Sequence, residues 1–401
     1  MKKITARQLK VGMFVVDAGL SWMDHPFLYQ EEGEIASQQH IEAILEDGYE
    51  EVFVDPSRGS YAGLDYQEPL TDSLLNDMDI LDGVSAKKVS LKEEMGKARR
   101  LYSDSLQFAR EFLHGARMGY LVDYSQSEKL VESVIDSVIR NEDAVVSLTK
   151  LRDFDEYSYT HSINVAVLAV AFGKNLGLSH KMLRSLGSAG IFHDIGKARI
   201  PEAILNKPGK LTGEEFEVMK SHPKKGFDLL AKQGAAEEVV LLGVLQHHEK
   251  FSGRGYPDGV SGDEVSVLAR IIAVADVYDA LTSERVYKKG MLPHKALALM
   301  YSMRGMDFHT GYVERFIKSM GIYPVGSFVR LSTREYALVS GSNSAQPLYP
   351  QVLVVLDDRQ RPCTPHEVDL AEVREGGDNV LEIIECLNPK GFKIDPAAYL
   401  M

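Results

Sequence analysis

Two cysteines, Cys363 and Cys386, are all that the 401 residues contain. They lie near the C-terminal end without the short spacing of a zinc ribbon or a redox motif. A disulfide framework is excluded, and both are expected to be buried or incidental thiols. Basic residues are outnumbered: 45 Lys and Arg against 58 Asp and Glu give a formal charge of −13. That field opposes non-specific binding of a nucleic-acid polymer and adhesion to an anionic membrane. No apolar run approaches the ~18 residues of a membrane span. The best, Val165–Phe172, is far too short. The N-terminal MKKITARQLK has basic residues with no apolar core behind them, so no signal peptide is expected, and the expected location is the cytoplasm.

What is present is an ordinary globular composition, 44% hydrophobic and 26% charged, over a length suited to two or three domains. Residues 1–60 read as a small α+β unit, regulatory or partner-binding. Leu9, Val11, Met13 and Val15 alternate as in a half-buried strand; Ile41, Ile44 and Leu45 have helical spacing, Gly48 marks a helix stop, and EVFVD at 51–55 reads as a further strand. His25 and His40 are lone histidines and read as structural or surface residues. Residues 61–90 read as a linker and 91–149 as a helical connector. There Leu91, Met95, Ala98, Tyr102, Leu106, Ala109 and Leu113 form an apolar stripe that packs within the chain or across a homodimer. Residues 150–320 read as nearly all helix, with Thr212 and Glu215 as a capping box. Residues 321–401 read as a small β-rich extension, with strands at 327–331, 336–339 and 352–356. The expected fold is therefore multidomain and mainly α.

IFHDIGK at 191–197 places His193 and Asp194 side by side between an apolar helical run and a Gly-Lys turn. His161 lies upstream in a second apolar run, and His222, His247, His248 and Asp276 follow, each beside a helical pattern. Such nitrogen and carboxylate groups suit two divalent transition-metal ions. Asp194 can bridge the two, with His161, His193 and Asp276 completing one site and His222, His247 and His248 the other. A water between such ions is acidified toward neutrality, which gives a hydroxide nucleophile, and the ion pair clamps a phosphoryl oxygen; metal-assisted phosphoester hydrolysis follows. HHEKFSGRGYP at 247–257 adds freed backbone and the Tyr256 ring, and Lys197, Arg285 and Lys288 add cations. An aromatic face beside cations suits a nucleobase next to a phosphate.

HDIGK at 193–197, HPKKG at 222–226, HHE at 247–249, GYP at 255–257 and DVYDALTSERVY at 276–287 together resemble an HD-GYP domain, the bacterial branch of the HD phosphohydrolases that hydrolyses cyclic dinucleotides. The first 60 residues resemble, more weakly, a small domain of unknown function found ahead of such enzymes, and PVGSFVRL resembles the β-extension that follows them. The resemblance implies an all-helical HD-type core. It also implies hydrolysis of cyclic di-GMP or 3′,3′-cyclic GMP-AMP to the linear dinucleotide, in some members onward to mononucleotides. His161, His193, Asp194, His222, His247, His248 and Asp276 match the family's metal ligands, with iron or manganese usual. Lys197 matches the lysine at the scissile phosphate, and Tyr256, Arg285 and Lys288 match substrate contacts. A diguanylate cyclase domain is an expected partner for the GYP surface.

Two departures stand out. Members with a third metal carry Glu four residues before the first histidine; here that position is Tyr157, and two metals are expected. Phe251-Ser252-Gly253 replaces the usual aromatic-Asp-Gly, and Arg254 places an additional cation in the loop. Competing readings are a wider HD phosphohydrolase of nucleoside phosphates or alarmones, and an inactive module that binds the dinucleotide or a cyclase.

Overall fold

The computed structural model describes residues 1–20, 25, 27–61, 87–120, 124–150, 157–234, 236–283, 290–343, 345–375 and 381–400. The N-terminal unit holds β1 (Lys2–Thr5), β2 (Met13–Val15), β3 (Leu28–Tyr29), β4 (Gly33–Glu34), α1 (Gln38–Glu46) and β5 (Glu51–Gly59). The strands run in the order β1-β5-β2-β4, with β3 parallel against β5. Ile4, Val15, Ile35, Ile41, Ile44, Val52 and Val54 form its core. The alternation from Leu9 yields a strand only at Met13–Val15. Ala6–Gln8 form a 3-10 turn, Val11 is exposed, and Gly12 turns the chain at φ +89°. The linker expectation for 61–90 falls mostly outside the described residues.

Two long helices follow, α2 (Leu91–Met118) and α3 (Tyr124–Leu148). Ser90 and Glu93 form a reciprocal capping box at the start of α2. Its buried face is Met95, Ala98, Tyr102, Ser105, Ala109, Phe112 and Ala116, a strict alternation of three- and four-residue steps. The expected stripe drifts off this face at Leu106 and Leu113, which are only partly buried. Ser105 is tolerated inside because its hydroxyl donates to the Leu101 carbonyl at 2.7 Å. The stripe is covered within the chain, by α3 and the helix after it. Glu94, fully buried, accepts two 2.8 Å bonds from Arg140 and one of 2.9 Å from Ser137. Asn141 breaks α3 with φ −160° and ψ 104°; its amide donates to the Val89 carbonyl at 2.9 Å.

The central part contains α4 (Tyr157–Asn175), α5 (His180–Phe192), α6 (Glu202–Leu205), α7 (Gly213–Lys220), α8 (His222–Ala231), α9 (Glu238–Gln246), α10 (Val267–Thr282), α11 (Pro293–Ser302) and α12 (Tyr312–Met320). α4 and α10 are buried along most of their described length, so they read as continuous apolar runs rather than stripes. The expected Thr212–Glu215 capping box opens α7, but Ser221 ends that helix and His222 begins another.

The C-terminal part is an antiparallel sheet of β6 (Phe328–Leu331), β7 (Tyr336–Gly341), β8 (Gln351–Leu356), β9 (Pro362–Asp369) and β10 (Ile383–Leu387), with α13 (Leu370–Glu375) and α14 (Pro396–Tyr399) beside it. The strand order is β10-β6-β7-β8-β9. β9 and β10 escape sequence reading because both are largely exposed edge strands with no apolar alternation. The chain is thus a mainly helical, multidomain molecule with a strand-rich unit at each end.

Candidate metal centre

Helix ends build this site. His193 and His247 follow the last turns of α5 and α9, and His222 follows the end of α7. The last carbonyls of a helix have no intrahelical partner. Here the Nδ1 of His193 lies 2.8 Å from the Gly190 carbonyl, that of His222 2.9 Å from Met219, and that of His247 2.8 Å from Val244. Each ring therefore donates from Nδ1 to a carbonyl three residues back, and turns the bare lone pair of Nε2 inward. His161 on α4 is fixed the same way by a carboxylate, with Nδ1 2.8 Å from Asp279 Oδ2. Asp279 in turn accepts from Asn164 at 3.0 Å and from Ser283 at 3.1 Å.

All seven residues expected from the motifs meet. Asp194 lies between two groups and divides its oxygens. Oδ1 faces His222 Nε2 at 3.2 Å and His247 Nε2 at 3.8 Å. Oδ2 faces His193 Nε2 at 3.4 Å and His161 Nε2 at 3.8 Å. Asp276 Oδ1 closes the second group, 3.1 Å from His161 Nε2 and 4.0 Å from His193 Nε2. One group is Asp194, His222, His247 and His248; the other is His161, His193 and Asp276. Within each, the donor atoms lie within 4.8 Å of one another.

The Nε2 atoms of His222 and His247 stand 3.4 Å apart, and with both Nδ1 protons committed this is lone pair against lone pair. Among the described residues, the buried His193 Nε2, His248 Nε2 and Asp194 Oδ1 have no hydrogen-bond partner. Buried polar atoms are rarely left so. A divalent cation in each group would satisfy them, so the residues present fit metal ions. Burial holds His247 down to about 3, reinforced by His193 and His222, and holds His248 well below the usual imidazole range. Both rings are therefore neutral donors. Burial would raise Asp194, but Lys197, at 2.7 Å, and His193 hold its carboxyl well below the usual carboxylate range.

Residues 136–309 match the HD domain family, and residues 1–127 match a family described as a domain of unknown function. A cyclic di-GMP phosphodiesterase of Pseudomonas aeruginosa is 36% identical over 92% of this chain and 88% of its own. The chain belongs to the HD-GYP phosphodiesterase family. A 3′,3′-cGAMP-specific phosphodiesterase of Vibrio cholerae is 40% identical over 36% of this chain and 31% of its own. A solved HDG"Y"P protein of Bdellovibrio bacteriovorus superposes with a TM-score of 0.44 at 16% identity, covering 72% of this chain and 88% of that one.

The HD-GYP loop returns over the histidines. Tyr256 stacks on His248 with ring centroids 4.7 Å apart, and its amide donates to the His248 carbonyl at 3.2 Å. A Cβ at Gly255 would stand 2.3 Å from the Lys250 amide nitrogen and 2.5 Å from the His248 carbonyl, so only glycine fits the crossing. Arg254 is exposed on the loop. Arg285 and Lys288 lie outside the described residues, and so does the side chain of Tyr157.

Sequence reasoning missed four participants. Asp279 sits in the quoted DVYDALTS motif, three residues from Asp276, but no feature of the sequence says that it orients His161. Glu249 holds the loop: its Oε1 accepts from the Asp258 and Gly259 amides at 2.8 and 3.0 Å. Leu20 and His25, from the N-terminal unit, join His247, His248, Tyr256 and Asp276 around a cavity of about 50 Å³. His25, read from sequence as structural or surface, is buried there. It also approaches Glu51 and Asp307, a third potential ligand set. Those carboxylates are already paired with Lys3 at 2.8 and 2.6 Å. Lys250 completes the ring, 2.8 Å from Asp307 and 3.4 Å from Glu51. Two cations thus balance the two anions of this group without an ion.

Proposed function

We propose that the protein hydrolyses a bacterial cyclic dinucleotide, cyclic di-GMP or 3′,3′-cyclic GMP-AMP, to the linear dinucleotide. The observation that carries this is Asp194, whose two oxygens face the Nε2 atoms of two separate sets of buried imidazoles. One divalent ion in each set, iron or manganese, would be held by His161, His193 and Asp276 on one side and His222, His247 and His248 on the other, with Asp194 between them. Such ions supply an acidified water and a clamp on the phosphoryl oxygens. Lys197 then faces the leaving oxygen or the scissile phosphate, Tyr256 offers its ring to a base, and Arg254, Arg285 and Lys288 meet the remaining phosphate and base. The HD-GYP unit spans 150–320 in this reading, behind an N-terminal unit at 1–60, a linker at 61–90 and a connector at 91–149, with the β-rich extension at 321–401. The enzyme works in the cytoplasm. A diguanylate cyclase domain contacts the GYP surface.

The test is a turnover assay on metal-quantified protein purified without air. Cyclic di-GMP, 3′,3′-cyclic GMP-AMP and cyclic di-AMP are offered side by side and the products separated by chromatography. Conversion of one of the first two, lost on chelation and in Asp194→Ala, is the expected result. Protein with two metals bound per chain that turns over none of the three would overturn the proposal in favour of an inactive binding module.

A further inference from the structure

A second cavity, far larger than the first at about 450 Å³, lies where the C-terminal end of α3 meets the C-terminal sheet and α14. It falls in the size range of small-molecule sites. Nothing in the proposed reaction uses it. Met95, Leu148, Met291, Leu292, Ile394 and Leu400 supply an aliphatic wall, and Phe328 is the only aromatic ring among its described lining residues. That one ring is already packed against Tyr336 and Phe392, which leaves the wall poorly suited to stacking a nucleobase. Methionine and leucine side chains instead adapt to a flexible aliphatic body.

The polar side of the cavity is cationic. Lys150, Arg99 and Lys390 line it, against one carboxylate, Asp395. Asp395 is committed elsewhere, accepting from the Ala397 amide at 3.0 Å to cap α14. Lys150 donates to the carbonyls of Pro324 at 3.2 Å and Val325 at 3.0 Å and to the Ser327 hydroxyl at 3.5 Å. All three acceptors are neutral, and among the described residues no carboxylate pairs with it. An ammonium held at the wall of an apolar cavity, with Asp143 near it but no described carboxylate bonded to it, is costly to keep charged. Burial accordingly pulls Lys150 down from the usual lysine range to about 7. An anion in the cavity would restore that charge.

We infer that this cavity binds an amphiphilic anion, with a carboxylate or phosphate head beside Lys150 and an aliphatic body along the Met95, Leu148 and Met291 wall. The site adjoins the metal centre through its framework. Thr282, which lines the cavity, ends the helix that carries Asp276; Ser147 and Leu148 end α3, and Thr149 and Lys150 follow it ahead of the helix that carries His161.

The test uses the full-length protein with three probes below their micellar concentrations: dodecanoate, dodecyl phosphate and dodecanol. Binding is followed by calorimetry, and the rate of alkylation of Cys386, which lines the cavity, is followed by peptide mapping. At least one anion should bind about tenfold or more tightly than the alcohol and should slow alkylation of Cys386; the tighter anion names the head group. Lys150→Met should reduce the anions to the affinity of dodecanol and leave dodecanol unchanged. Equal binding of all three probes, or anion binding that leaves Cys386 unprotected, would overturn the inference. The alkylation arm needs no variant, so it decides the matter even if Lys150→Met does not fold.

Discussion

Asp279 illustrates what a residue one step from the proposed metals contributes. Its carboxylate accepts from His161 Nδ1 and so keeps Nε2 of that ring toward Asp194 and Asp276. Asp279→Asn keeps the volume but can present its amide to the ring and reverse the tautomer. Metal affinity is expected to drop about 10–100-fold, measured by competition with a chelator, with the fold retained by circular dichroism. Lys150 gives a prediction of a different kind. The unfolded chain keeps the lysine proton up to about 10.4, whereas the folded chain releases it near 7. Between those values the unfolded state holds more protons, so stability rises with pH across that window. Urea unfolding from pH 7 to 10 should show the rise in the native sequence and a flatter profile in Lys150→Met. The motif histidines were legible because each stands beside an apolar helical run. Asp279 and Asp276 have the same residue type on the same helix, and only the crossing of α4 over α10 separates their roles.

At the scale of elements, the contact that sets the Asp194–His222 distance is a turn against a helix. The 3-10 turn Ile195–Arg199 packs on α8 so closely that a Cβ at Gly196 would stand 1.9 Å from the His222 carbonyl oxygen and 2.5 Å from the Gly226 nitrogen. Both neighbours are backbone, so neither yields without moving a helix. Gly196→Ala should cost about 1–3 kcal/mol, as overpacking does, and should lower the bound metal per chain, seen by urea unfolding and elemental analysis. Most elements were readable by period. The α2 stripe was readable as a helix and in part as a face: Met95, Ala98, Tyr102 and Ala109 are buried, but the buried set passes through Ser105 rather than Leu106, and a polar residue gives no periodic signal. β9 and β10 were unreadable for the opposite reason: exposed edges carry no alternation to find.

For the whole molecule, the N-terminal unit forms part of the wall over the metal centre. With Leu20 and His25 in place the cavity is about 50 Å³, well under the roughly 300 Å³ at which small-molecule sites begin. Lys3, Glu51, Lys250 and Asp307 tie the wall down as a buried ring of alternating charge, with Lys3 and Glu51 from one unit and Lys250 and Asp307 from the other. Lys3→Met strands an excess carboxylate and should destabilise the protein by about 3–5 kcal/mol, the usual cost of breaking a buried pair from one side. Lys3→Met combined with Glu51→Gln removes a neutral pair and should recover most of that loss, read as a coupling energy in a thermal or urea double-mutant cycle. None of this was visible from sequence, because Lys3 and Asp307 stand 304 residues apart and Glu51 and Lys250 199 apart, and no local pattern joins them.

The ring also divides along the domain seam into two halves, each with one positive and one negative charge. Neither face holds an orphan ion: Lys3 lies 2.8 Å from Glu51, and Lys250 lies 2.8 Å from Asp307. Each side of the seam thus carries no net charge from the ring, and neither unit depends on the other for a counter-ion.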